Sequence, residues 1–116
     1  KVLKLTPAYD ICPQSRTANE ASQAMLISGD DRNSRISSCL KAAAHFLLSR
    51  EQAMVIVKDL LCSIIKHWHS ICDEAELAPV ERNLLWGRQF LNPYAFEYLD
   101  GDAAYLKTLA EDARSR

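Results

Sequence analysis

Hydrophobic positions recur at helical spacing over most of this sequence, and the clearest repeat lies near its middle. Apolar residues from Ala53 to Ala75 step by three or four positions, which is the spacing of one face of an α-helix. Ser49 and Gln52 stand before this repeat at the spacing of a capping box, in which each side chain binds the other residue's backbone amide. We therefore predict a helix of about 25 residues, roughly 37 Å long and buried over more than half of its circumference.

Shorter helical patterns lie on both sides of this central helix. Asn19 is a suitable N-cap for a helix that ends at Gly29. Pro79 suits the first turn of another helix, which Asn92-Pro93 breaks, with Val80 and Leu84 among its inward positions. The remaining predicted helices cover residues 36–48, 94–99 and 103–113.

The N-terminal pattern is different. Residues 1–6 are aliphatic and β-branched with two lysines, which predicts a short strand ending before Pro7, followed by an irregular loop to residue 18. A lone strand of this size needs a sheet to join, and nothing later in the chain supplies one. The chain also starts at Lys1 without an initiator Met, so we expect it to be part of a longer protein.

These patterns together predict an all-α fold. We expect a single helical bundle domain over residues 1–116 around one long central helix, with a short N-terminal extended segment. Within it, residues 1–18 form the strand and loop, and residues 19–116 form the helices.

Composition narrows the class of protein. A chain of 116 residues has room for one core, and 48% hydrophobic with 25% charged residues is typical of a globular domain. The net charge of −1 gives no reason to expect direct nucleic-acid binding. No apolar stretch approaches the roughly 18 residues that span a bilayer, so we expect no membrane partner. Three of the four cysteines fall in helical apolar patterns, which predicts buried, reduced thiols and a cytoplasmic protein.

Most of the residues that could bind a metal or take part in catalysis are better explained by a structural role. His69, Cys72 and Asp73 can share one helix face, but a zinc site needs three or four ligands and no second contributing element is visible. We interpret His67 as a polar-face residue and His45 as a partly buried structural histidine. The sequence contains no G-x-S-x-G nucleophile motif and no glycine-rich phosphate loop.

A helix-turn-helix is a further alternative over Ala42–Leu60. A recognition helix should expose polar and basic residues at its start. The second helix here begins with Ala53 to Val57, all apolar, so the pattern favours a core helix over DNA binding.

Asp10 is the only charged residue in the stretch Tyr9-Asp10-Ile11-Cys12-Pro13, which follows the predicted strand, and it lies between apolar neighbours. A carboxylate at a strand end, facing a cleft, suits a divalent cation bound together with phosphate. A turn-capping aspartate has the same sequence pattern, and the residues alone leave both interpretations open.

The loop also carries a motif. Residues 5–11 read Leu-Thr-Pro-Ala-Tyr-Asp-Ile, and a strand, this motif and an all-helical tail together resemble the C-terminal part of HipA-family serine/threonine kinases. These kinases are the toxins of type II toxin–antitoxin modules. The similarity extends over about residues 2–90, including the stretch that starts at Asn19.

The resemblance implies a role for Asp10. It is similar to the family's metal-binding aspartate, which would coordinate Mg²⁺ bridging the phosphates of ATP, with Tyr9 and Ile11 holding the backbone in position. The phosphate-covering loop, the nucleotide-binding lysine and the catalytic Asp and Asn lie upstream of this motif in the family. We therefore expect no catalytic residue in this chain, no cofactor bound to it alone, and no phosphate transfer by it alone.

The resemblance also implies partners. These are the missing N-terminal kinase region and a DNA-binding antitoxin protein, whose contact residues no motif identifies. The alternative from a different class is a stand-alone helical protein-interaction module that presents a groove or a helix face to its partner.

Overall fold

The computed structural model describes residues 1–12 and 18–116, and its regular structure is helical. Its four α-helices are α1 (Ile36–Ala42), α2 (Arg50–Glu74), α3 (Pro79–Leu85) and α4 (Ala104–Arg114). Short helical turns connect them: 3-10 turns at Ala43–Phe46, Pro93–Phe96 and Gly101–Ala103, and a π-helical turn at Trp86–Phe90. The prediction of an all-α fold around one long central helix is confirmed.

The predicted strand at residues 1–6 is wrong. Residues 1–12 have no regular secondary structure, and Val2, Leu3 and Leu5 are 85%, 98% and 98% exposed. A strand forms when its backbone pairs with a neighbouring strand, and the described ranges contain no strand to pair with. The segment is therefore extended and unpacked. Part of the predicted loop, residues 13–17, lies outside the described residues.

The predicted helix over residues 19–29 is also wrong. This stretch forms an irregular hairpin with isolated antiparallel bridges, Ser22 to Asn33 and Ser28 to Asp31. Gly29 sits at its turn with a φ of 53°, a conformation that glycine adopts easily. A helix of this length has few apolar side chains to bury, so nothing offsets its costly nucleation.

The beginning of α2 follows the sequence prediction closely. The hydroxyl of Ser49 accepts a 3.1 Å bond from the amide of Gln52, whose side chain accepts a 2.9 Å bond from the amide of Ser49. This is the predicted capping box, and α2 runs for 25 residues behind it. The helical segment before it ends at Leu47, which takes a left-handed φ of 57°.

The core lies between one side of α2, α1, α4 and the turns that precede α4. Leu91, Ala103, Leu106 and Ala110 are fully buried in it. The buried residues of α2 are Ala53, Met54, Leu61, Trp68 and Cys72.

The prediction that α2 is buried over more than half of its circumference is wrong. Ile56, Leu60 and Ile71 are 45%, 61% and 56% exposed, because the neighbouring elements cover only one side of the helix. None of the described helices has both the length and the apolar character needed to cross a membrane.

The C-terminal elements begin near the positions that the sequence predicts, but α3 ends at Leu85, earlier than the predicted break at Asn92-Pro93. α3 begins at Pro79, and Asn92 precedes the 3-10 turn that replaces the predicted helix at 94–99. The Asn92 side chain accepts a 2.9 Å bond from the amide of Tyr94 and donates a 3.0 Å bond to the carbonyl of Arg88. Val80, predicted to point inward, is instead 78% exposed, and Leu84 is 49% exposed.

The carboxylate of Asp31 holds the hairpin against α1. It accepts a 2.6 Å bond from the hydroxyl of Ser38 and 2.9 Å bonds from the backbone and side-chain amides of Asn33. Asn33 in turn accepts a 3.0 Å bond from the hydroxyl of Tyr94. The bond from Ser38, followed by that from the backbone amide of Asn33, lowers the pKa of Asp31 below its ordinary 3.8.

We expect this network to make the Asp31→Asn variant less stable than wild type, and the difference to depend on pH. Because the folded pKa is lowered, the ionised carboxylate stabilises the fold above the unfolded pKa and loses that effect as pH falls through the folded pKa. Urea unfolding should therefore show the largest difference near neutral pH and a much smaller one at about pH 3. Asp30→Asn, at an exposed neighbour, is the control and should match wild type. A difference that is constant with pH would contradict the role of the charge.

Candidate functional site

Asp10 lies in the unpacked N-terminal segment. It takes a left-handed φ of 57°, which is uncommon for a residue with a side chain, and its neighbours Tyr9 and Ile11 are 80% and 82% exposed. The carboxylate itself is exposed to solvent.

The residues around Asp10 do not form a magnesium site by themselves. Residues 1–12 and 18–116 contain no group of three or more His, Cys, Asp or Glu side chains that could share a metal ion. Mg²⁺ in a phosphoryl-transfer site is bound by more than one protein ligand together with the nucleotide phosphates. Asp10 would supply one such ligand, and the described residues around it do not supply the others.

The other residues that the sequence suggested for metal binding all lie on α2 but differ in burial and contacts. Cys72 is fully buried, whereas Asp73 is exposed and pairs with Arg82 at 2.7 Å. His69 lies at the edge of a cavity beside α3. His45 is exposed, which corrects the prediction that it is partly buried.

The thiols are less buried than the sequence suggested. Cys39, Cys62 and Cys72 are free, but only Cys72 is buried. The prediction of buried thiols is therefore wrong for Cys39 and Cys62.

An apolar groove lies between α1, the turn after it and the first half of α2. Its volume is about 430 Å³, and its walls include Leu40, Ala53 and Val57 from the core. Phe46 and Ile56 line it while remaining 71% and 45% exposed. A groove of this character can hold apolar side chains, and its position next to the exposed side of α2 enlarges the apolar surface.

A second cavity, of about 270 Å³, lies between the C-terminal half of α2, α3 and the end of α4. Trp68 and Trp86 form one wall and stack with their ring centroids 4.7 Å apart. Arg82 and Arg116 also line this cavity. We call it the tryptophan cavity.

Trp68 belongs to the apolar repeat between Ala53 and Ala75, which predicts it on the buried side of the central helix, but no sequence pattern connects it with Trp86. The two residues are 18 positions apart and on different elements, so no helical spacing relates them. The only available signal was the presence of both tryptophans of the chain in consecutive predicted helices.

Comparison with family models, curated proteins and solved structures found no match to this chain.

Proposed function

We propose that this chain is the C-terminal helical part of a HipA-like serine/threonine protein kinase, which in its intact form transfers phosphate from ATP to a protein substrate. The observation that carries the proposal is the motif at residues 5–11, which stands immediately before an all-helical body. The motif is moderately specific. The helices agree with the proposal but are common to many proteins.

In the intact kinase, Asp10 would hold Mg²⁺ at the phosphates of ATP, where the metal neutralises charge during transfer. Tyr9 and Ile11 would fix the backbone around it. The exposure of Val2, Leu3 and Leu5 supports this arrangement, because a run of exposed aliphatic side chains is stabilised when another part of the protein covers it. The missing N-terminal kinase region would provide that cover and the sheet.

The helices of this chain would form the back of the catalytic lobe and support the segment that carries Asp10. Their core is complete around Leu91 and Leu106, so they can hold a fixed shape under the loop that carries Asp10. A DNA-binding antitoxin is the proposed protein partner, and we place the intact kinase in the cytoplasm.

The test is a phosphorylation assay on two proteins. A longer protein that includes the upstream region should transfer the γ-phosphate of ATP to itself or to a protein substrate. The 116-residue chain alone should transfer none, and calorimetric titration with Mg-ATP should show no saturable binding at micromolar concentrations, because one metal ligand without the phosphate-binding elements contributes little. Tight binding by the chain alone, or an inactive longer protein, would contradict the proposal.

The second candidate is a stand-alone helical interaction module, which the apolar groove and the exposed residues Leu60 and Ile71 of α2 favour. A helix-turn-helix is less favoured, because Val55 and Ile56 expose apolar rather than basic surface early in α2. The upstream coding sequence discriminates between the candidates. A glycine-rich loop and a catalytic Asp and Asn before Lys1 would decide for the kinase, and an initiator Met directly before Lys1 would favour the module.

A further inference from the structure

We propose that the tryptophan cavity binds a small aromatic anion, a single ring that carries a carboxylate or phosphate. The inference does not depend on the kinase proposal. It rests on an aromatic wall, a positively charged rim and the size of the cavity, all formed by described residues.

The aromatic wall is fixed before any ligand arrives. Trp68 is buried, and its ring lies 4.7 Å from that of Trp86 at an interplanar angle of 23°. The indole nitrogen of Trp86 donates a 3.1 Å bond to the carbonyl of Ala113, which anchors its ring to α4. Ile65, Pro79 and Ala113 complete the apolar lining. A flat ring placed here gains stacking and burial without first ordering the side chains that hold it.

Two arginines, Arg82 and Arg116, line the rim of the cavity. Arg82 bonds Asp73 through Nη1 at 2.7 Å and the carbonyl of Leu77 through Nε at 2.9 Å, which fixes the plane of its guanidinium. Nη2 of Arg82 has no partner among the described residues. Arg116 also lines the cavity and forms no hydrogen bond or ion pair within the described ranges.

The charge of the lining selects the sign of the ligand. Tryptophan faces attract cations as well as aromatic rings. No aspartate or glutamate lines the tryptophan cavity, whose polar lining residues are His69, Arg82, Asn83 and Arg116. Asp73, which pairs with Arg82, does not line it. An anion is therefore favoured, because Nη2 of Arg82 can donate a charge-assisted hydrogen bond to an oxygen of a carboxylate or phosphate.

The size of the cavity sets the size of the ligand. About 270 Å³ is near the lower end of the range of small-molecule sites, which begins at roughly 300 Å³. One ring with one acidic group fits this volume, whereas a nucleotide is too large. The tryptophan cavity is thus a separate site from the ATP site proposed for the intact kinase.

The probe is phenylacetate, titrated into the 116-residue chain while intrinsic tryptophan fluorescence is recorded. The chain has two tryptophans and both line the cavity, so the signal reports on this site. We expect saturable binding of phenylacetate. Acetate lacks the aromatic ring of the probe and benzyl alcohol lacks its carboxylate. Each should bind at least about tenfold more weakly than phenylacetate. The absence of saturation up to about 10 mM phenylacetate, or equal binding of benzyl alcohol, would overturn the proposal.

Two variants with a matched control locate the binding. Arg82→Gln should weaken phenylacetate binding about tenfold, since a charge-assisted bond to the anion is lost. Asp73→Asn breaks the same ion pair but leaves Arg82 in place, so it should bind at least as tightly as wild type. Arg116→Gln disturbs no contact and should weaken binding about threefold even if Arg82→Gln does not fold. Equal weakening by Arg82→Gln and Asp73→Asn, or wild-type affinity in both arginine variants, would overturn the proposal.

Discussion

Replacing Asp10 with asparagine in the proposed longer kinase is expected to lower phosphate transfer by about a thousandfold, since metal-ion stabilisation of transition-state charge is worth several kcal/mol. Asparagine keeps the size of the side chain and removes the charge that would hold Mg²⁺. The rate of phosphate transfer from labelled ATP measures the loss. The expectation rests on the family resemblance of residues 5–11.

The control for this substitution is Asp30→Asn, at another exposed aspartate. It removes the same charge away from the motif and should keep the full rate. Both variants should fold as the parent does, because the two carboxylates are exposed to solvent. Phosphate transfer by Asp10→Asn at the wild-type rate would contradict the role of Asp10, while leaving the tryptophan cavity unaffected.

Replacing Leu106 with alanine is expected to lower the free energy of unfolding by about 2–5 kcal/mol. Leu106 is 0% exposed and lies in α4, where it belongs to the core cluster with Leu91 and Ala110. The removed methyl groups leave a cavity that the surrounding helices can close only in part. Since small domains are stable by about 5–15 kcal/mol, the loss takes a large share of the total.

Urea unfolding followed by circular dichroism measures this difference. Leu84→Ala is the matched control, because Leu84 lies on α3 with 49% of its surface already exposed. Its loss should be below about 1.5 kcal/mol, since less apolar area leaves the interior. Equal losses in the two variants would show that α4 is not packed as described.

The features that the sequence predicted well are those with local causes. The capping box at Ser49 joins residues three positions apart, and the repeat behind it needs only the geometry of one helix. The start at Pro79 and the break at Asn92 follow from the backbone limits of proline. Such signals are complete within a few residues of the chain.

The features that were predicted poorly from the sequence depend on residues that are distant along the chain. Whether residues 1–6 form a strand depends on a partner strand, and which side of α2 is buried depends on how many elements reach it. The same holds for the bidentate pair of Arg50 with Asp102, 52 positions away, and for the bond from Tyr94 to Asn33. Periodicity identifies apolar residues but does not count the neighbours available to cover them.

The same difference between local and distant signals applies to Asp10 and the tryptophan cavity. Asp10 was identified from a motif of seven consecutive residues. The tryptophan cavity was missed, because α2, α3 and the end of α4 create it only when they meet. No short sequence pattern links Trp68 with Arg116.

One unbroken helix carries both the apolar groove and the tryptophan cavity. Val57 lines the first and Trp68 the second, and the step of eleven positions from one to the other corresponds to about 16 Å along α2. The capping box and the continuous hydrogen bonding of α2 fix this spacing. Consider a bivalent molecule whose apolar end binds the groove and whose aromatic acid binds the tryptophan cavity. Its second end would bind at a raised effective concentration only if the spacer spans that distance. A much shorter spacer would leave one of the two ends unbound.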